Sequence, residues 1–127
     1  MEFSVVLVVD DEYLIRWSVG ERLRQEGIVV MEAGTGAEAR RQLGPDVSVV
    51  VLDVKLPDAD GLDLLAEFTA SHPDVAVIMI TAHGTEEMAD VAIGLGASGF
   101  LRKPFDVEEL LAEVIAARDG ISDADVY

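Results

Sequence analysis

Five short runs rich in valine and isoleucine alternate with five longer amphipathic stretches, and no other feature of this chain restricts its fold as strongly. The runs occupy residues 5–9, 28–31, 47–52, 75–80 and 99–101. Most are apolar on successive residues, as strands are when both sides are covered, rather than alternating as they do beside water. The last helical stretch is the clearest: Val107, Leu110, Leu111, Val114 and Ile115 form one apolar stripe, and Asp106 with Glu109 supplies a capping box. Met88, Val91, Ala92 and Leu95 repeat the spacing in the stretch before it, which Thr85 caps and which ends near Gly96. The first helix, over about 12–26, buries Ile15, Val19 and Leu23 and ends at Gly27. Thr35 and Glu38 open a short helix that Gly44 and Pro45 stop, and a further helix over about 62–70 stops at His72-Pro73. Strand-helix alternation of this kind predicts an α/β fold, a parallel sheet covered on both faces with right-handed crossovers.

Size and charge narrow the function. The 127 residues make one domain of ordinary size. The longest unbroken apolar run is the six residues 75–80, well short of the ~20 that a membrane helix needs. The N-terminus has no signal-peptide pattern, so the expected location is cytoplasmic. With no cysteine, disulfides, thiolate metal sites and cysteine nucleophiles are excluded. Twenty-five acids against nine bases give a net charge of −16. Such a surface repels phosphate backbones and anionic lipids, so neither nucleic acid nor membrane is an expected partner, whereas cations and basic surfaces are.

In an open parallel sheet, ligands bind beyond the carboxyl ends of the strands. The residues there are Asp10-Asp11 after the first strand, Asp53 after the third, Thr81 after the fourth and Lys103-Pro104 after the fifth. Three carboxylates held close repel one another unless a cation joins them, and oxygen ligands of this kind suit Mg2+. An ammonium and a hydroxyl beside them can hold phosphoryl oxygens. The set describes phosphoryl transfer with an aspartate as nucleophile. Each residue also has a structural reading: an aspartate capping the first helix, an acidic turn after Asp53, a strand-end hydroxyl at Thr81, a surface cation at Lys103. The combination at the correct strand ends favours the functional one. Both lysines of the chain, Lys55 and Lys103, fall near this edge.

Val8-Val9-Asp10-Asp11-Glu12, Asp53 followed by Leu56-Pro57-Asp58-Ala59-Asp60-Gly61, Thr81-Ala82 and Lys103-Pro104-Phe105 together resemble the receiver domain of two-component response regulators. Leu14-Ile15-Arg16-Trp17, the stretch from Thr81 to Thr85 and that from Phe100 to Asp106 resemble more narrowly the receivers of nitrogen-regulatory, enhancer-binding activators. The resemblance implies a flavodoxin-like, doubly wound (βα)5 sandwich of three layers with a five-stranded parallel sheet in the order 2-1-3-4-5. It covers residues 1–119, leaving 120–127 as a C-terminal tail or linker stub. It implies Asp53 as the phosphoacceptor, served by a phosphohistidine on a sensor histidine kinase. It also implies Mg2+ on Asp10, Asp11, Asp53 and the backbone carbonyl of Lys55, phosphoryl contacts from Thr81 and Lys103, and a switch pair of Thr81 and Phe100. A cis peptide bond at Pro104 belongs to the same pattern. Such a domain is a switch that catalyses only its own phosphorylation and dephosphorylation. Its fourth helix, fifth strand and fifth helix would face an output domain or effector, and the subtype implies a receiver homodimer through the fourth or fifth helix.

Two rival readings differ in class. A magnesium-dependent phosphatase of the dehalogenase-like kind places a second aspartate two residues after the nucleophile, where this chain has Lys55. A phosphorylation-independent scaffold typically lacks one of the acidic, hydroxyl or ammonium positions, and none is missing here. Trp17 lies off the first helix's apolar line and is expected to be partly exposed, where it could serve kinase docking or pack sideways. His83 reads as a loop histidine at the rim of the site, and His72 as a turn residue without function.

Overall fold

The computed structural model describes residues 4–120. The chain alternates β1 (Val5–Val9), α1 (Tyr13–Gln25), β2 (Val29–Ala33), α2 (Gly36–Gln42), β3 (Val47–Asp53), α3 (Gly61–Ser71), β4 (Ala76–Thr81), α4 (Glu86–Gly94), β5 (Gly99–Arg102) and α5 (Val107–Arg118). The five strands form one sheet in the order β2-β1-β3-β4-β5, and every neighbouring pair is parallel. The sheet is the one expected. The tail lies outside the described residues from 121 onward.

Alternate residues of the central strands feed two separate cores. Leu7, Val9, Val50, Leu52, Val77 and Met79 face Leu64, Leu65 and Phe68 of α3 and Ala92 of α4. Val6, Val8, Val49, Val51, Ile78 and Ile80 face Val19 and Leu23 of α1 and Leu110, Leu111 and Val114 of α5. Each such side chain contributes about 1.5–3 kcal/mol by leaving water. Packing on both faces makes the sheet the rigid frame on which the strand ends are mounted.

Two expectations need correction. The first four residues of β2 are not covered on both faces: Val29 is exposed and Val30, Met31 and Glu32 are half-buried, because β2 is an edge strand. On α4, the stripe Met88, Val91, Ala92 and Leu95 is not a buried line. Only Ala92 is buried, with Val91 and Leu95 exposed, since this helix touches the sheet along a narrow strip beside β5. The capping expectations fare better. Thr35 accepts from Glu38 N and Thr85 from Met88 N, while Asp106 accepts from Glu108 N rather than from Glu109.

Candidate functional site

Strands β3 and β4 each run one residue further than their apolar patterns suggest, so Asp53 and Thr81 are the last residues of their strands and not the first of their loops. Backbone pairing carries both into the ladder, Asp53 opposite Ile80 and Thr81 opposite Arg102. Both side chains are consequently buried, together with Asp10 just past β1. The loop after Asp53 is tied down at once. Val54 N donates to Ile80 O, Gly61 N donates to Val54 O at 2.6 Å, and Lys55 bridges to Asp60. A Cβ at Gly61 would run into the carbonyl of Asp53, so only glycine lets the start of α3 approach this closely.

Lys103 stands at the centre of the constellation. Its ammonium lies 2.7 Å from Asp10 Oδ2, 2.9 Å from Glu12 Oε1 and 3.1 Å from Asp53 Oδ2. It donates hydrogen bonds to Glu12 and Asp53, whereas Asp10 Oδ2, fully buried, has no hydrogen-bond partner although it is ion-paired. The other oxygens are held by backbone: Glu12 N donates to Asp10 Oδ1 at 2.8 Å, and Lys55 N to Asp53 Oδ1 at 3.3 Å. The Lys103–Pro104 peptide bond is cis.

Electrostatics follow from this crowding. Burial, reinforced by the like charge of Asp10, pushes the Asp53 carboxyl up to about 6, and Lys103 restrains a larger rise. Burial pulls on Lys103 in the opposite sense, but its contacts with Asp10 and Glu12 and the charge of Asp53 outweigh that pull and raise its proton affinity. One ammonium cannot balance this many carboxylates. Asp10, Asp11 and Asp53 each offer an oxygen, all within 4.8 Å of one another. Three crowded carboxylates with one ammonium among them make a set of hard anionic donors that fits a divalent cation of the Mg2+ kind.

The site opens into a cleft of about 300 Å³ whose walls include Asp11, Glu12, Asp53, Lys55, Thr81, Ala82, His83 and Lys103. The structure thus gathers Asp10, Asp11, Asp53, Thr81 and Lys103 at one place, with Lys55 at the rim and its side chain exposed. Thr81 Oγ1 accepts from His83 N. Phe100 is half-buried one strand away, and a Cβ at Gly84 would sit 2.8 Å from Thr81 Cγ2 and 2.9 Å from Phe100 Cε2. Gly84 therefore brings the β4–α4 loop against both. Glu12 went without a role in the sequence, although as the third acid after β1 it was within reach of the same edge; it is the third partner of Lys103. Asp58, read from sequence as part of a turn, lies in the turn that Leu56 N closes on Ala59 O, and its carboxylate also accepts from Gly36 N and Ala37 N at the start of α2. Those two N–H groups hold its carboxyl below the usual range. His72 contacts Ser71, and Trp17 is exposed.

The family model described as the response regulator receiver domain matches residues 6–115. The chain is 40% identical over 126 residues to the probable transcriptional regulatory protein TcrX of Mycobacterium tuberculosis and 38% identical over 117 residues to nodulation protein W of Bradyrhizobium diazoefficiens. It is 37% identical over 115 residues to the DNA-binding transcriptional regulator NtrC of Escherichia coli. These alignments cover 94%, 91% and 90% of this chain, which spans only 53%, 52% and 24% of the relatives. Among solved structures, the beryllofluoride-activated NtrC4 receiver domain dimer superposes with a TM-score of 0.87 at 40% identity, covering 93% of this chain and 98% of that one. A CheY-like receiver domain protein from Methanospirillum hungatei gives 0.87 at 28% identity, covering 94% and 96%.

Proposed function

This chain belongs to the response regulator receiver domain family, and from that premise we propose that Asp53 is its phosphoacceptor and that the surface around α4, β5 and α5 reports the modification. The single observation that carries the reading is the convergence on Asp53. A buried carboxylate is held between Lys103 and a backbone N–H, faces an open cleft, and has two further carboxylates beside it.

The chemistry follows from those contacts. An Asp53 oxygen attacks the phosphorus of a phosphohistidine, the P–N bond breaks, the imidazole leaves with that electron pair, and an acyl phosphate forms. Attack requires the ionised carboxylate, and a pKa of about 6 leaves most of Asp53 ionised at neutral pH. The Lys103 ammonium, 3.1 Å from the carboxylate, is placed to follow negative charge onto the phosphoryl group. The Thr81 hydroxyl lies across the same cleft. Asp10, Asp11 and Asp53, with the carbonyl of Lys55, would hold Mg2+, which when bound neutralises charge on carboxylate and phosphoryl oxygens alike.

A new phosphoryl group adds roughly two negative charges and acceptor oxygens. Drawing Thr81 toward them empties the space beside Gly84, and Phe100 is the ring positioned to enter it. That rearrangement is the switch, and the exposed apolar side chains of Val91 and Ile93 on α4 and of Leu95 just after it lie on the surface it alters. The donor is a sensor histidine kinase and the reader an output domain or effector, consistent with the greater length of the relatives. Lys55 at the position two after Asp53, exposed and cationic, does not fit a phosphatase acid.

Incubation with acetyl phosphate, followed by intact mass, tests the reading. The expected result is one phosphoryl addition that requires Mg2+, is removed by hydroxylamine and is absent in Asp53→Asn. Addition to Asp53→Asn that survives acid overturns it.

A further inference from the structure

Arg16 of α1 is on neither the apolar line of its helix nor its solvent face. Its side chain is 19% exposed, and Nη1 donates to the backbone carbonyl of Asp10 at 2.6 Å. Nε lies 3.5 Å from Glu32 Oε1 on β2, and the guanidinium carbon sits 5.8 Å from the centroid of the Tyr13 ring. A Cβ at Gly34 would come to 3.2 Å from Nη1, so glycine there leaves room for the guanidinium. Three contacts, from the loop after β1, from β2 and from α1 itself, fix this planar group.

What it fixes is the peptide unit between Asp10 and Asp11. Asp10 N already donates to Ala33 O at 3.1 Å, and Asp10 Oδ1 accepts from Glu12 N. Arg16 takes the remaining backbone group. Asp11 is exposed and has no side-chain hydrogen bond or ion pair of its own among the described residues. The orientation of its carboxylate is therefore set by the peptide that precedes it.

We propose that Arg16 is a positioning residue for the divalent-cation site, clamping the Asp10–Asp11 peptide so that both carboxylates stay beside that of Asp53. The inference rests on the Mg2+ reading above and deepens it. Its sign is diagnostic. As a positive charge near the site, Arg16 would by itself repel a cation, so a purely electrostatic role predicts tighter Mg2+ binding when the charge is removed. A clamp predicts weaker binding. Outer-shell partners of metal ligands are typically worth about 10–100-fold in affinity, and a contact made through the backbone belongs at about tenfold.

The test is Mg2+ titration by calorimetry on the unphosphorylated chain, comparing wild type with Arg16→Met, Arg16→Lys and Arg24→Met. Arg24 is the control, because its Nη2 shares Glu32 at 3.2 Å and does not touch Asp10. Arg16→Met should weaken Mg2+ about tenfold and Arg24→Met should leave it unchanged. Arg16→Lys keeps the charge but cannot span both partners, so it should fall between. Hydrogen exchange of metal-free protein supplies the second readout, with the amides of residues 10–12 exchanging faster in Arg16→Met alone. If Arg16→Met does not fold, Arg16→Lys decides. Equal or tighter Mg2+ binding in the folded Arg16 variants overturns the clamp while leaving the cation site standing. A wild-type chain that binds no Mg2+ overturns the site and the clamp together.

Discussion

Replacing Asp53 by asparagine keeps the shape of the side chain and removes one negative charge from a place where it is only 4% exposed and faces a second buried carboxylate, Asp10. The native site raises this carboxyl from an ordinary 3.8 to about 6, chiefly by burial and then by the charge of Asp10. At about 1.4 kcal/mol for each tenfold change in proton affinity, that rise amounts to about 3 kcal/mol. The native state holds the proton more tightly than the unfolded chain does. Its contribution to stability is therefore complete below pH 3.8 and is lost as pH rises through 6, so that at pH 8 metal-free wild type carries the full burden of an ionised Asp53. Asparagine does not carry it, and Lys103 keeps Asp10 and Glu12 as partners. Urea unfolding in EDTA should accordingly show Asp53→Asn more stable by about 2–3 kcal/mol at pH 8, a midpoint higher by roughly 1–2 M. At pH 5, a lower limit chosen to stay above the isoelectric point near 4.1, about half of that gain should remain. Mg2+ should raise wild type and not the variant, closing the gap at pH 8. A variant less stable than wild type in EDTA, or a gain that does not shrink on acidification, refutes the reasoning.

Lys103→Ala should cost metal-free protein about 3–5 kcal/mol at pH 8, because it strands Asp10 and Asp53 without their cation. Mg2+ should recover much of that loss in the same thermal melt. Gly61→Ala drives a methyl group into the Asp53 carbonyl and the Val54 backbone, and the loss expected in urea is about 2–3 kcal/mol. Asp58→Ala removes the acceptor for Gly36 N and Ala37 N. Since the Asp58 carboxyl is held below its ordinary range, the stability it supplies is present above that range and disappears as pH falls through it. The deficit of the variant in unfolding experiments should shrink on acidification, opposite in sign to the behaviour of Asp53.

Much of this was legible in the sequence because strand ends in a parallel sheet share one edge. The runs of valine and isoleucine located β1, β3 and β4 almost to the residue, and the polar residue closing each run then had to lie near the others. Apolar character alone, however, does not separate an edge strand from a central one, and Val29 to Glu32 proved half-covered. Nor does an apolar stripe state how much of it a neighbour reaches, which is why Val91 and Leu95 on α4 are exposed. The contacts that sequence could not supply join residues far apart in the chain with no local pattern. Glu12 meets Lys103, and Asp58 meets the start of α2. Gly61 and Gly84 were equally silent, since what they exclude is visible only where two backbones approach.

The most direct test of the proposed phosphoacceptor is to locate the modification chemically. Borohydride reduces an acyl phosphate to an alcohol, so phosphorylated protein treated with borohydride, digested and sequenced by mass spectrometry should carry homoserine at position 53, in the peptide that ends β3. Homoserine at position 10 or 11 instead, or at neither while the intact mass still shows a phosphoryl group, would contradict the assignment of Asp53.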